Sequence, residues 1–217
     1  MKKVFLFLIM FFIVGIYENS VAIENSITHK TPVIIQHGEI LDYVTADDLL
    51  IAEIEKQLTC MAKNIFFEAA VESTAGRLAV AQVTLNRVKS HRFPNSVCEV
   101  VYEGLHYTTA SGKQIPKRNR CQFSWYCDGK SDDPRKVRSW KNSQLIAKWF
   151  YDHQDRLMDI TDGATHYHAD WMQKYPNWAR TYKRNVRIDD HIFYQKREYG
   201  NVQNRKLKIS ELTLASL

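Results

Sequence analysis

The sequence predicts a mainly helical α+β domain over residues 48–195, and three observations predict it. Apolar residues recur at three-to-four spacing over two long stretches of the first half, as amphipathic helices require. Short pieces of the last third, THYHA at 165–169 and HIFYQ at 191–195, read as strands. The composition, 45% hydrophobic and 25% charged over 217 residues, is that of an ordinary globular chain, which sets aside disordered, collagen-like and coiled-coil readings. A chain of this length can bury a sizeable core without metal or disulfide support.

Lys2 and Lys3 precede thirteen uncharged, mostly large apolar residues, Val4 to Ile16. Small residues at Ser20 and Ala22 then complete the layout of a secretory signal over residues 1–22, with a run too short to span a bilayer comfortably. An uncleaved anchor is the alternative. With cleavage after Ala22 the expectation is an exported chain, periplasmic or extracellular, with no stable membrane span. Residues 23–47 are polar, carry Pro32 and Gly38, show no period, and read as a linker or arm.

Thr45-Ala-Asp-Asp can open a helix, because its oxygens cap exposed amides and its acids suit the positive end. Ile51, Ile54, Leu58, Met61, Ile65 and Phe66 continue that helix, which should end between Ala70 and Gly76. Leu78, Ala81, Leu85 and Val88 stripe a second helix, and a shorter one is expected from Ser96 to Tyr102. Thr108 to Arg120 reads as a basic loop. Trp140 to His153 reads as a further helix with Leu145, Trp149 and Phe150 inward, and residues 196–217 as a polar basic tail.

The charge balance, 30 Lys+Arg against 24 Asp+Glu, gives a modest +6 that suits an anionic partner without naming one. Export makes Cys60, Cys98, Cys121 and Cys127 candidates for disulfides. Cys121 and Cys127 lie six apart and could close a small loop, leaving Cys60 for Cys98; the two other pairings stay open. A zinc site is the weaker reading of these cysteines, for lack of ligand spacing.

Glu68 follows Asn64-Ile-Phe-Phe at the end of the first helix. Large apolar neighbours would desolvate its carboxyl, raise its pKa and keep it protonated near neutrality, as a general acid for a glycosidic oxygen requires. Glu72, four residues on, would share that face if the helix continued. Spacing alone reads both as solvated helix-end residues. His166, His168 and Asp170 alternate and would share one face of a strand, either as a metal or acid/base cluster or as a polar groove wall; the second is favoured, because no further metal ligand is evident. Trp125, Tyr126, Tyr167, Trp171, Tyr175 and Trp178 could be core or a platform for flat ligands.

The segment Cys60–Val88, CMAKNIFFEAAVESTAGRLAVAQVTLNRV, resembles the signature of the SleB/CwlJ-type cell wall hydrolases, the spore cortex-lytic enzyme family. The resemblance continues through FPNSVCEVVYEG, CQFSWYCDG, DGATHYHADW and HIFY, in family order, from about Leu58 to Tyr194, with the four cysteines closer to proteobacterial members. It implies a lysozyme-like fold (transglycosylase- or resuscitation-factor-like), cleavage of peptidoglycan between N-acetylmuramic acid and N-acetylglucosamine, and Glu68 as the catalytic acid. The second family glutamate falls on Glu72. The chain departs from the usual E-A-R-G-E, carrying Ala70-Val71 in place of Arg-Gly, which removes a charge near the acid and a flexible turn residue.

A hydrolase needs a second carboxylate, for which Glu72 and Asp128 are the candidates; a lytic transglycosylase does not, and the expectation leans that way. Gln122, Ser124, Tyr167 and His168 are expected to hold sugar amides and hydroxyls. No cofactor or metal is called for, and a monomer acting on peptidoglycan is expected. The competing readings are a non-catalytic wall-binding protein and a metal-dependent amidase built on His166, His168 and Asp170. Export argues against nucleic acid as partner.

Overall fold

A computed structural model describes residues 45–196. The expected signal, the arm up to residue 44 and the tail from 197 lie outside the described residues. The chain divides into two compact units, 1–51 and 52–217.

Of the first unit, residues 45–51 are described, the opening of helix α1 (Ala46–Ala69). Thr45 and Asp48 cap it reciprocally: the Thr45 hydroxyl accepts from the Asp48 amide at 3.1 Å, while the Asp48 carboxylate accepts from the Thr45 amide at 2.8 Å and hydroxyl at 2.7 Å.

The second unit holds the rest of α1 and the helices α2 (Thr74–Lys89), α3 (Val97–Val101) and α4 (Val137–His153). It also holds a hairpin of β1 (Gly104–Thr108) with β2 (Gln114–Cys121), and an antiparallel sheet of β3 (His166–Ala169), β4 (Lys183–Ile188) and β5 (His191–Gln195). In that sheet β5 lies between β3 and β4, and Tyr167 pairs with Phe193. Single 3-10 turns occupy Ser124–Cys127 and Asn177–Arg180. The described residues are thus α+β and mainly helical.

Two apolar clusters share α2. Its Ala81, Leu85 and Val88 face the larger core, with Met61 and Ile65 of α1, Val100 and Val101 of α3, Trp125 and Phe150. Its Ala79 and Val83 face the sheet through Ala164 and Phe193. Covered on both sides, α2 carries apolar residues around most of its circumference, which is why a single stripe describes it incompletely.

A polar bridge locks the larger core. Asn64, fully buried, donates to the Thr84 hydroxyl at 3.0 Å and accepts from Trp125 Nε1 at 3.1 Å. The Thr84 hydroxyl in turn donates to the Val80 carbonyl. Asn64→Ala is expected to cost about 1–3 kcal/mol, because the Trp125 N–H would be left buried without an acceptor. Thermal unfolding of the variant beside Thr84→Val checks this: the Asn64 change should cost more.

The structure corrects three expectations. Thr108 to Arg120 is not a loop but most of the hairpin β1–β2. Its residues are largely exposed, so no buried face imposes an apolar alternation. Backbone pairing holds it, with Gly112 in the left-handed region (φ +82°) at its turn. Gly104 lies opposite Cys121 so closely that a Cβ there would meet the Cys121 sulfur at 2.8 Å.

In α4, Ser143, Ala147 and Phe150 point inward, while Leu145 and Trp149 are 59% and 44% exposed. The inward set follows i, i+4, i+7 spacing, which places Leu145 and Trp149 on the outer face. Finally, α1 ends at Ala69, so Glu72 lies in the following turn and does not continue the face of Glu68. That turn needs no glycine, since neither Ala70 nor Val71 has a positive φ. Arg77 donates to the Ala69 and Ala70 carbonyls, satisfying the end of α1 from the next helix.

The cysteines pair as Cys60–Cys98, joining α1 to α3, and Cys121–Cys127, joining β2 to the 3-10 turn after it.

Candidate active site

A groove of about 370 Å³ opens between the end of α1, the last turn of α2, β3 and the segment after β2. Glu68, Gln122, Ser124, Tyr167 and His168 all line it, so the structure brings five residues singled out in the sequence to one surface. Among the described residues that line it, Glu68 is the one carboxylate.

Glu68 sits in the last turn of α1, flanked by Phe66 and Phe67, whose rings pack edge to face at 4.9 Å. Phe67 stacks on Trp125 at 4.6 Å, so the helix end is fixed by aromatic packing. Tyr167 reaches across from β3 and donates to Glu68 Oε2 at 3.0 Å. Burial pushes the Glu68 carboxyl above its ordinary value, against the opposing pull of the Tyr167 hydroxyl and the Arg87 charge. Burial beside this carboxyl also holds the Tyr167 phenol well above its usual range, so Tyr167 stays a donor.

Arg87, 4% exposed, places a positive charge near Glu68 although the turn after Ala69 carries none. Its Nε donates to the Thr165 carbonyl at 2.8 Å, and its guanidinium lies over the rings of Phe123 (4.6 Å) and Phe93 (5.3 Å). Burial pushes its own pKa down, while Tyr167, Glu68 and Glu103 pull it back up. The sequence reading missed this residue. The available signal was an arginine four residues after Val83 and seven after Val80, at an inward helix position. Trp171, one of the aromatic residues read as core or as a platform for flat ligands, lines the groove as well. His191 also lines it and was not singled out; its ring meets Tyr167 edge-on at 5.0 Å.

The other expected residues lie elsewhere. Glu72 accepts weakly from the Asp190 amide at 3.3 Å, and Asp128 accepts from the Lys130 amide and pairs with its ammonium. Neither lines the groove. His166 turns into the rings of Phe93, Trp178 and Tyr182, where burial and nearby cations depress its pKa to about 4. Both nitrogens of His168 are engaged, Nδ1 with the Ala169 carbonyl and Nε2 with the Tyr194 hydroxyl, while Asp170 pairs with Arg187. Among the described residues no three His, Cys, Asp or Glu side chains gather to hold a metal ion.

A family model described as Cell Wall Hydrolase matches residues 71–194, more than half of the chain. The chain belongs to the cell wall hydrolase family. The matched span takes in Arg87, the groove segment 122–124, Tyr167 and His191, and begins three residues after Glu68.

Among the relatives of this cell wall hydrolase, the spore cortex-lytic enzyme of Bacillus subtilis (strain 168) is 42% identical over 55 residues, 25% of this chain and 18% of that protein. The spore cortex-lytic enzyme of Halalkalibacterium halodurans is 38% identical over 61 residues, 28% of this chain and 18% of that protein. The match thus spans about a fifth of the length of these relatives. Two solved structures are also similar: the catalytic domain of the Bacillus cereus SleB protein (25% identity, TM-score 0.43, 65% of this chain and 91% of that one) and that of the germination-specific lytic transglycosylase SleB from Bacillus anthracis (26%, 0.45, 65% and 95%).

Proposed function

We propose that this cell wall hydrolase cleaves the glycan strand of peptidoglycan between N-acetylmuramic acid and N-acetylglucosamine as a lytic transglycosylase, with Glu68 as its acid and then its base. The observation that carries this reading is that Glu68, desolvated and hydrogen-bonded to Tyr167, is the one carboxylate among the described groove-lining residues.

In the first step protonated Glu68 gives its proton to the glycosidic oxygen as the C1–O bond breaks through an oxocarbenium-like transition state. The leaving sugar departs with that proton. In the second step the Glu68 carboxylate takes the proton of the muramic acid C6 hydroxyl, whose oxygen bonds to C1 and closes an anhydro ring. No water is consumed, so no second carboxylate is needed to activate one.

The surroundings suit both roles. Burial raises the Glu68 pKa and so favours the protonated form that the first step uses. The Tyr167 hydroxyl and the Arg87 charge favour the carboxylate that exists between the two. Tyr167 occupies Oε2 and leaves Oε1 for the sugar. Gln122 and Ser124 offer amide and hydroxyl groups to the substrate, and His168, with both nitrogens engaged, offers its ring.

Mass spectrometry of soluble products from intact sacculi tests the reading: anhydro-muramyl ends support it, reducing ends assign hydrolysis, and pull-down with sacculi without any released fragment favours wall binding. A second test concerns Tyr167. Its hydrogen bond lowers the Glu68 pKa, and a general acid loses activity as pH rises through its pKa. Tyr167→Phe is therefore expected to reduce the rate while moving the alkaline limb of the pH–rate profile to higher pH. An alkaline limb that stays put or moves down would contradict the assignment.

A further inference from the structure

Met172 belongs to the wall of two hollows: the groove of Glu68, and a second one of about 440 Å³ beside it. The second is also lined by Gln173, Lys174, Tyr175, Arg180 and Tyr194, and no carboxylate lines it among the described residues.

The partition between the two is built from side chains that hold one another. His168 lines the groove on one side. Its ring stacks on Tyr194 at 5.2 Å and meets Tyr175 at 4.3 Å, both on the wall of the second hollow. The Tyr194 hydroxyl bonds His168 Nε2 at 3.0 Å, and the Tyr175 hydroxyl donates to the Asp170 carbonyl at 3.2 Å. Lys174 and Arg180 stand exposed at this wall, and neither is in an ion pair among the described residues.

We propose that the second hollow is a subsite for the carboxylate-bearing peptide that branches from the muramic acid residue seated in the groove. This rests on the function proposed above and extends it from the glycan to its branch. The glycan itself is a chain of uncharged rings and amides, and two unpaired cations offer it little. The branch at the reacting muramic acid leaves the strand sideways, into whatever adjoins the groove, and ends in carboxylates. Lysine and arginine flanked by tyrosine rings suit such an anionic, partly apolar peptide. The hollow adjoins the groove across one shared residue, so sugar and branch can be held together.

The experiment uses the full chain on two substrates: sacculi carrying stem peptides, and the same sacculi stripped of them by an amidase. Lys174→Gln/Arg180→Gln should raise KM on the peptide-bearing wall about five- to tenfold, with kcat unchanged, as expected for lost charge-assisted contacts at a partly exposed site. On stripped strands, whose muramic acid keeps only its short lactyl carboxylate, the effect should shrink to about twofold or less. Lys113→Gln/Lys117→Gln, which removes the same charge from the exposed hairpin, should match wild type on both. An equal effect on both substrates, the same effect from the hairpin variant, or no effect at all would overturn the subsite.

Binding of soluble N-acetylmuramyl tetrapeptide, measured by calorimetry, separates this proposal from the one it rests on. If wild type cleaves neither substrate, the transglycosylase reading falls. The subsite then stands only if wild type binds the muropeptide and the Lys174/Arg180 variant binds it at least fivefold more weakly; otherwise it falls too.

Discussion

Replacing Glu68 with glutamine is expected to reduce release of soluble fragments from sacculi by about a thousandfold or more, the upper range for loss of a positioned proton donor that acts twice. Glutamine keeps nearly the same shape and still presents an oxygen to the Tyr167 hydroxyl, so the groove should persist and binding to sacculi should survive. The same substitution should stabilise the fold. Burial raises the Glu68 pKa above its ordinary 4.5, so the folded state resists ionisation that the unfolded chain accepts freely. Stability from this group is complete below about pH 4.5 and is lost as pH rises through the raised value. Glu68→Gln should therefore melt higher than wild type at pH 7.5, with the gap closing toward pH 4. A variant that is inactive and melts lower at neutral pH would have failed by misfolding, and one that keeps turnover would remove Glu68 from the mechanism.

The largest stability effect is expected from Cys60→Ser/Cys98→Ser. This bridge closes a segment of 38 positions between α1 and α3, and the chain-entropy account gives about 3–4 kcal/mol for a loop of that order. For a domain of this size the melting temperature should fall by roughly 8–15 °C. Because Cys60 packs in the same cluster as Met61 and Ile65, one to two turns before Glu68, the loss should reach the site as well. Cys121→Ser/Cys127→Ser closes only six positions and should cost less. Melting curves of the two double variants, each compared with disulfide-bonded wild type, check the order.

Much of the helical half was legible because a buried helix writes its contacts into the sequence every three or four residues. The stretch from Ile51 to Phe66 and the stripe from Leu78 to Val88 carry that pattern, and Glu68 stands out against Ile65, Phe66 and Phe67. The strands His166–Ala169 and His191–Gln195 were visible as aromatic runs.

What stayed hidden has physical causes. The hairpin β1–β2 is held by backbone pairing with both faces largely in water, so Lys117, Arg118 and Arg120 look like loop residues. Strand β4 hides likewise, its lysine and arginines facing solvent. In α4 the inward residues Ser143 and Ala147 are small, and the eye follows the larger Leu145 and Trp149 on the outer face. Arg87 was passed over because its partners, Thr165, Phe123 and Tyr167, come from distant segments. No spacing rule reports a contact that only the fold creates.

The bond between Glu68 and Tyr167 joins residues 99 positions apart. Until β3 packs beside the end of α1, Glu68 is an ordinary carboxylate on a helix, ionised at neutral pH and with no hydroxyl to hold it. Reactivity in this protein therefore belongs to the tertiary fold and to no single segment. A fragment that keeps α1 but lacks β3 would carry the acid without the hydroxyl that holds it.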